Sequence, residues 1–146
     1  MLQYIVAGCD EGWTLFDHNK MCYISKINRD RKGWPGAREL CQTLGGDLAS
    51  VKDEKTNEFL KSTMMKGGVK QFWLGGVYSH VDAKWKWSDE STWDLEFADG
   101  KFADGKPNHT DENDDYLMLN MVTGEWVDVP RREAKKPYFC QKKQNE

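Results

Sequence analysis

Half of the acidic side chains of this chain, 12 of 24, fall between Ser88 and Asp128, a stretch whose only lysines or arginines are Lys101 and Lys106. Carboxylates at that density can hold a hard cation through their oxygens, or serve as paired acid and base in catalysis. Catalysis needs partner groups at recognisable spacing, and the sequence offers none. His18, His80 and His109 stand near no nucleophile they would activate, so surface placement is their default and the chain reads as a binding protein, not an enzyme. The acidic stretch should repel nucleic acid and attract a cation. Asn108-His109-Thr110 adds a sequon at which Asn108 can be glycosylated in a eukaryotic secretory host. The four cysteines, Cys9, Cys22, Cys41 and Cys140, show neither C-x-x-C nor Cys/His zinc spacing. Two disulfides are a better reading than zinc or free buried thiols, and they imply an oxidising, secreted or extracellular setting.

These groups must be positioned by something. Following Trp34 and Pro35, the residues Ala37, Leu40, Cys41 and Leu44 repeat at helical spacing, with Gly45-Gly46 as a stop. A second helix is expected from Asp53 to about Met65, acidic at its start, apolar at Phe59, Leu60 and Met64, and ended by Gly67-Gly68. Strands are expected over Gln71 to Val77, Lys84 to Trp87, Tyr116 to Leu119, Glu125 to Val127 and Tyr138 to Cys140. Between Ser88 and Asp115 lie about 28 residues with little periodicity, far above the ~15 beyond which structureless loops become uncommon, so this loop is functional by default. Within it Phe97-Ala98-Asp99-Gly100-Lys101 is copied at once as Phe102-Ala103-Asp104-Gly105-Lys106, which reads as a local insertion.

At 146 residues, with 31% charged residues and no apolar run near the ~18 of a membrane span, the chain fits one soluble domain. Its core is expected over residues 9–141, with a frayed tail from Lys142 to Glu146. The N-terminus has no basic leader region, so a signal peptide has been removed or omitted. Arg131, Arg132, Lys135 and Lys136 are expected to be solvated surface, with an acidic-glycan site as the minor alternative. Nothing in the sequence sets an oligomeric state.

From Cys9 to Cys140 the pattern resembles the C-type lectin-like domain. The resemblance rests on Cys9, Gly12-Trp13, Phe16 and Cys22-Tyr23 for an N-terminal hairpin, and on Trp34, Ala37, Cys41 and Leu44-Gly45-Gly46 for a first helix. Leu48-Ala49-Ser50, Trp73-Leu74-Gly75-Gly76, Trp85 and Trp87, the Phe102 to Asn108 segment, Trp126-Val127-Asp128 and Tyr138-Phe139-Cys140 carry it further. It implies an α+β fold: two helices flanking small antiparallel sheets, a long acidic loop, and the disulfides Cys9–Cys22 and Cys41–Cys140. The family's further disulfide would join the positions of Tyr116 and Arg131, and both partners are missing together. Tryptophans 13, 34, 73, 85, 87 and 126 fall on core positions. Trp93 has no such place, so with Phe97 it either packs the inserted loop or contacts a ligand.

The same resemblance implies a calcium ion shared between protein and sugar, held by a Glu/Gln-Pro-Asn/Asp triplet, a following carboxylate and an Asn-Asp pair. Here those positions read Lys106, Pro107, Asn108, Asp114, Val127 and Asp128. A lysine in place of a carboxylate turns attraction into repulsion of roughly 4 kcal/mol at ~4 Å and an effective dielectric of ~20. A second calcium site would use Tyr78, Asp82, His109, Asp114 and Asp115, with Asp111 and Glu112 able to support a shifted one. The resemblance thus implies an extracellular protein or glycan ligand bound near Trp93, Phe97, Lys106, Asn108, Asp114 and Asp128 by other than the usual calcium mechanism. The alternative is a modified calcium site on Asn108, Asp114 and Asp128 with Asp82 and Asp115. Lys106 is expected to stand in for the metal by pairing with Asp114 or Asp128.

Overall fold

The computed structural model of the chain describes residues 8–27, 31–64, 68–107, 115–129 and 134–145. A hairpin of β1 (Thr14–Phe16) and β2 (Met21–Lys26) opens the chain and is stapled by Cys9–Cys22. Helix α1 (Trp34–Thr43) follows, starting without a side-chain cap but with Pro35 in its first turn, where the missing N–H costs nothing. It buries Trp34, Ala37 and Cys41. It stops where expected: Gly45 takes φ +96°, a region closed to most side chains, while its N–H reaches Gln42 O at 3.0 Å and that of Gly46 reaches Cys41 O at 3.0 Å. Gly46 is needed for a second reason, since a Cβ there would sit 1.9 Å from the carbonyl oxygen of Gln141.

Beyond β3 (Asp47–Leu48), helix α2 (Glu54–Ser62) is capped by Asp53, whose Oδ1 accepts from Thr56 N at 2.9 Å. The helix is shorter than its apolar spacing suggests, and residues 65–67, where its end is expected, lie outside the described part. Strands β4 (Gln71–Ser79), β5 (Lys84–Trp87), β6 (Asp115–Asn120), β7 (Trp126–Val129) and β8 (Tyr138–Lys143) complete one sheet in the order β1-β2-β8-β4-β6-β7, with β3 on β8 and β5 on β4. All pairings are antiparallel except β4 with β8. A third helix, α3 (Leu95–Asp99), lies inside the long loop. It is too short to leave a periodic signal, which is why the sequence shows only two helices.

Both faces of the sheet are covered, and the strand alternation decides which side chain goes where. Phe72, Leu74, Leu117, Leu119, Trp126 and Phe139 enter one core cluster with Leu60 and Met64 behind them. Trp73, Tyr116, Met118, Tyr138 and Cys140 enter the other with Trp34 and Cys41. Cys41–Cys140 ties α1 to β8 within that second cluster. Tyr116, where the family's further disulfide would start, fills the space with its ring, 4.8 Å from Trp34 and 6.5 Å from Trp73; Arg131 lies outside the described residues. The tail is not frayed at Lys142. Strand β8 carries Lys142 and Lys143, Lys142 Nζ donates to Asp10 Oδ2 at 2.6 Å, and Asn145 N reaches Gly8 O at 2.6 Å.

Candidate functional site

The long loop leaves β5 through a polar anchor. Arg38 donates to Ser88 O at 2.8 Å, and Ser88 Oγ to Asp47 Oδ1 at 2.7 Å. Asp89 accepts from Ser50 Oγ at 2.8 Å and from Gln141 Nε2 at 3.1 Å. Lys52 Nζ donates to Thr92 O and to Ser91 Oγ, both at 2.5 Å, and its partial burial pushes its pKa down. These groups come from α1, β3, β8 and the segment between β3 and α2, so the frame adds to the turn's own bonds, such as Ser91 N to Asp89 Oδ1 at 2.9 Å, in fixing the start of the loop.

The loop then packs by aromatic rings. Trp93 lies 5.4 Å from Trp85 in a near-parallel stack, 4.6 Å from Trp87 and 5.9 Å from Trp126. The tandem copies put one phenylalanine each against the same indole: Phe97 and Phe102 both meet Trp126 edge-on, at 5.7 and 5.9 Å. The copies differ in backbone. Phe97 is in α3, whose Asp94 cap accepts from Phe97 N at 3.1 Å, whereas Phe102 bridges to Trp126, which donates its N–H to Lys101 O at 2.7 Å. Trp126 is held from behind by Asn57, whose Oδ1 accepts its Nε1 at 2.9 Å. Each copy also ends in a lysine that finds a carboxylate: Lys101 Nζ is 2.7 Å from Glu54, and Lys106 Nζ is 3.8 Å from Asp128 Oδ1.

That last contact is where the calcium ligands are expected. Asp128 is 3% exposed and Asp115 1% exposed. Asp115 faces Tyr78 and Asp128 faces Leu117 in the register, so the two carboxylates share one face of the sheet, one diagonal step apart. Lys106 joins this pair through Asp128. Val127 offers no side-chain oxygen, and Asn108, His109, Asp111, Glu112 and Asp114 lie outside the described residues. Asp82 is not gathered with them: it sits in the β4–β5 turn, exposed and hydrogen-bonded to Lys86, which holds its carboxyl below the usual range. Among the described residues no group of three His, Cys, Asp or Glu side chains is placed to hold a metal ion.

Beside this cluster a cavity of about 840 Å³ opens between β5 and the loop. Tyr78, Trp85, Trp87, Trp93, Phe102 and Pro107 wall it. Leu95, 64% exposed at the start of α3, borders it, and Lys84, Lys86, Glu90 and Asp99 are its exposed charges. Trp93 packs the loop against Trp85, Trp87 and Trp126 and also lines this cavity. Phe97 packs only. Leu95, Glu90 and Asp99 escape a reading of the sequence because nothing in their spacing marks them; an apolar residue directly after the capping Asp94 is the one available hint.

The architecture and the site define a class first: a disulfide-braced domain in which a long loop is docked on the sheet beside an aromatic cavity. Residues 30–142 match the family model of the lectin C-type domain, and the chain belongs to that family, whose members are non-enzymatic recognition proteins. A perlucin-like protein of Mytilus galloprovincialis is 27% identical over 137 residues, 92% of this chain and 83% of that protein. Lactose-binding lectin l-2 of Anguilla japonica is 33% identical over 114 residues, 78% of this chain and 66% of that lectin. Among solved structures, a calcium-independent type II antifreeze protein superposes with a TM-score of 0.79 at 23% identity, covering 98% of this chain and all 100% of that one. The cow CD23 carbohydrate-recognition domain, solved in the presence of GlcNAc2Man3 oligosaccharide, superposes with 0.78 at 22% identity over 97% and 100%. These last two likenesses show the fold.

Proposed function

We propose that the chain acts as a single extracellular domain that recognises a glycan at the aromatic cavity beside the long loop, without calcium at the family's usual place. The observation that carries this reading is the cavity itself, about 840 Å³ and walled by tryptophan, tyrosine and phenylalanine rings. It has the size and apolar character of a ligand site. Aromatic faces suit the C–H face of a pyranose, and Glu90 and Asp99 supply acceptors for its hydroxyls. The relative named as a lactose-binding lectin supports a sugar over a protein ligand. The two disulfides support an oxidising, extracellular setting. Among the described residues no helix is long and apolar enough to cross a membrane.

The calcium-independent part of the reading is supported by Lys106, whose ammonium sits 3.8 Å from Asp128 where a cation would otherwise balance that carboxylate. Together with Val127, this leaves a donor set that does not fit calcium among the described residues. A second reading, a modified calcium site on Asn108, Asp114 and Asp128, is favoured by the two buried carboxylates Asp115 and Asp128 on one face. A glycan array run in calcium and again in chelator separates the two. The proposal expects the same hits in both and their loss in Glu90→Gln/Asp99→Asn; binding abolished by chelator selects the second reading.

A further inference from the structure

At another part of the sheet a smaller groove of about 320 Å³ is lined by Arg31, Lys70, Lys136, Gln71 and Asn120, floored by Val69, Val122 and Pro137. It gathers three cations separated by 39 and 66 positions in the sequence, and no carboxylate lines it among the described residues. Lys32 faces Lys136 across an antiparallel bridge, and Lys135 adjoins it in sequence. None of these five cations makes an ion pair with a described carboxylate, although the chain as a whole carries a net charge of -3. Elsewhere on the surface lysines do find carboxylates, as Lys20, Lys61, Lys86, Lys101, Lys106 and Lys142 show. Among the described residues this groove gathers cations that no ion pair balances.

The frame beneath it is rigid. Met121 N donates to Lys70 O at 2.7 Å, Trp73 N to Pro137 O at 2.9 Å, and Lys32 and Lys136 exchange backbone bonds at 3.1 and 2.9 Å. Gln71 and Asn120 are register partners at the end of β4 and β6. Asn120 Oδ1 is occupied by Val122 N and Thr123 N, at 2.9 and 3.3 Å, which leaves its amide N–H groups to donate outward. A groove that combines cations on a bonded backbone with amide donors suits oxyanions, because their charge relieves the mutual repulsion of the cations and their oxygens take the donors.

We infer that this groove binds the sulfate groups of an extracellular sulfated polysaccharide, as a site separate from the aromatic cavity. Single-stranded nucleic acid is the poorer occupant, since the groove is lined by no phenylalanine, tyrosine or tryptophan on which a base can stack, and the disulfides place the chain away from it. The test is calorimetric titration of a heparin octasaccharide into the whole domain near 0.15 M salt. Binding is expected, weakening as salt rises, and about tenfold weaker in Arg31→Ala/Lys70→Ala/Lys136→Ala. The three side chains are exposed or half-exposed and make no ion pair with a described residue, and an unchanged melting temperature confirms that the variant folds. Glu90→Gln/Asp99→Asn should bind heparin like the parent, which keeps this result independent of the cavity reading. The inference is overturned if the octasaccharide does not bind, if the triple variant binds unchanged, or if fully desulfated heparin binds as well. Equal binding by an oligonucleotide or by anionic phospholipid vesicles at matched charge likewise overturns it, because the groove is then a general polyanion surface.

Discussion

Replacing Lys106 by Met keeps the length of the side chain and removes its ammonium. At the observed 3.8 Å from Asp128 Oδ1, two unit charges interact by roughly 4 kcal/mol at an effective dielectric of about 20. Water reduces this, since the lysine side chain is 33% exposed while the aspartate side chain is 1% exposed. Losing the cation leaves a buried carboxylate short of one partner, and a net cost of about 1 to 2 kcal/mol follows. For a domain of this length that is a fall in melting temperature of roughly 3 to 8 °C. The decisive assay is a double-mutant cycle with Asp128→Asn, read by chemical denaturation at low and high salt. A coupling energy of about 1 kcal/mol, shrinking as salt rises, is expected. A coupling within about 0.3 kcal/mol of zero refutes the idea that Lys106 neutralises Asp128.

Three further outcomes follow from the same contacts. Lys106→Glu together with Val127→Asn returns two oxygen donors beside Asp128 and should create calcium-dependent thermal stabilisation, worth about 2.7 kcal/mol at calcium a hundredfold above Kd; a melt indifferent to calcium means the loop backbone is not in the family's arrangement. Burial, only partly offset by the bond from Asn19, pushes the Tyr23 hydroxyl up to about 12. Its pKa is raised in the folded state, so stability is undiminished below the unfolded value near 10 and falls as pH climbs from there towards 12, by about 3 kcal/mol in all. The stability of wild type should therefore fall relative to that of Tyr23→Phe by that amount as pH climbs from 10 towards 12, and parallel pH profiles would count against it. Asn57→Ala strands two buried groups, Trp126 Nε1 and Gly124 O, now bonded at 2.9 and 2.8 Å, and should cost about 3 kcal/mol by denaturant titration; a loss below about 1 kcal/mol would show that both groups find other partners.

The framework is legible in the sequence because its signals are local. Helix α1 carries its own period and its own glycine stop, and β5 reads directly from Lys84-Trp85-Lys86-Trp87. The pairing of the four cysteines follows from the family resemblance, and both disulfides are present. The Lys106 pair rests on the same resemblance, which puts that lysine at a ligand position beside Asp114 and Asp128; that its ammonium lies 3.8 Å from Asp128 comes from the structure. Other features depend on three-dimensional proximity. That Phe97 and Phe102 converge on one indole cannot be seen in a tandem copy, which reads equally well as an exposed insertion. Helix α3 is stabilised by Trp126 beneath Phe97 and by its Asp94 cap, not by a repeating apolar face. The tail departs from the expected fraying because a charged composition says nothing of Asp10 and Gly8 waiting across the sheet. The groove of Arg31, Lys70 and Lys136 belongs to three separate chain segments, of which the sequence marks only the last as part of a basic run.

The central claim, glycan recognition at the aromatic cavity without calcium, meets its most direct test in calorimetric titration of the strongest array hit, performed in chelator, against wild type and Glu90→Gln/Asp99→Asn. The account predicts wild-type affinity unchanged from that in calcium, and a loss of about tenfold or more in the variant, whose two substitutions remove charged acceptors at the cavity. Loss of wild-type binding in chelator, or equal binding by the variant, would contradict it.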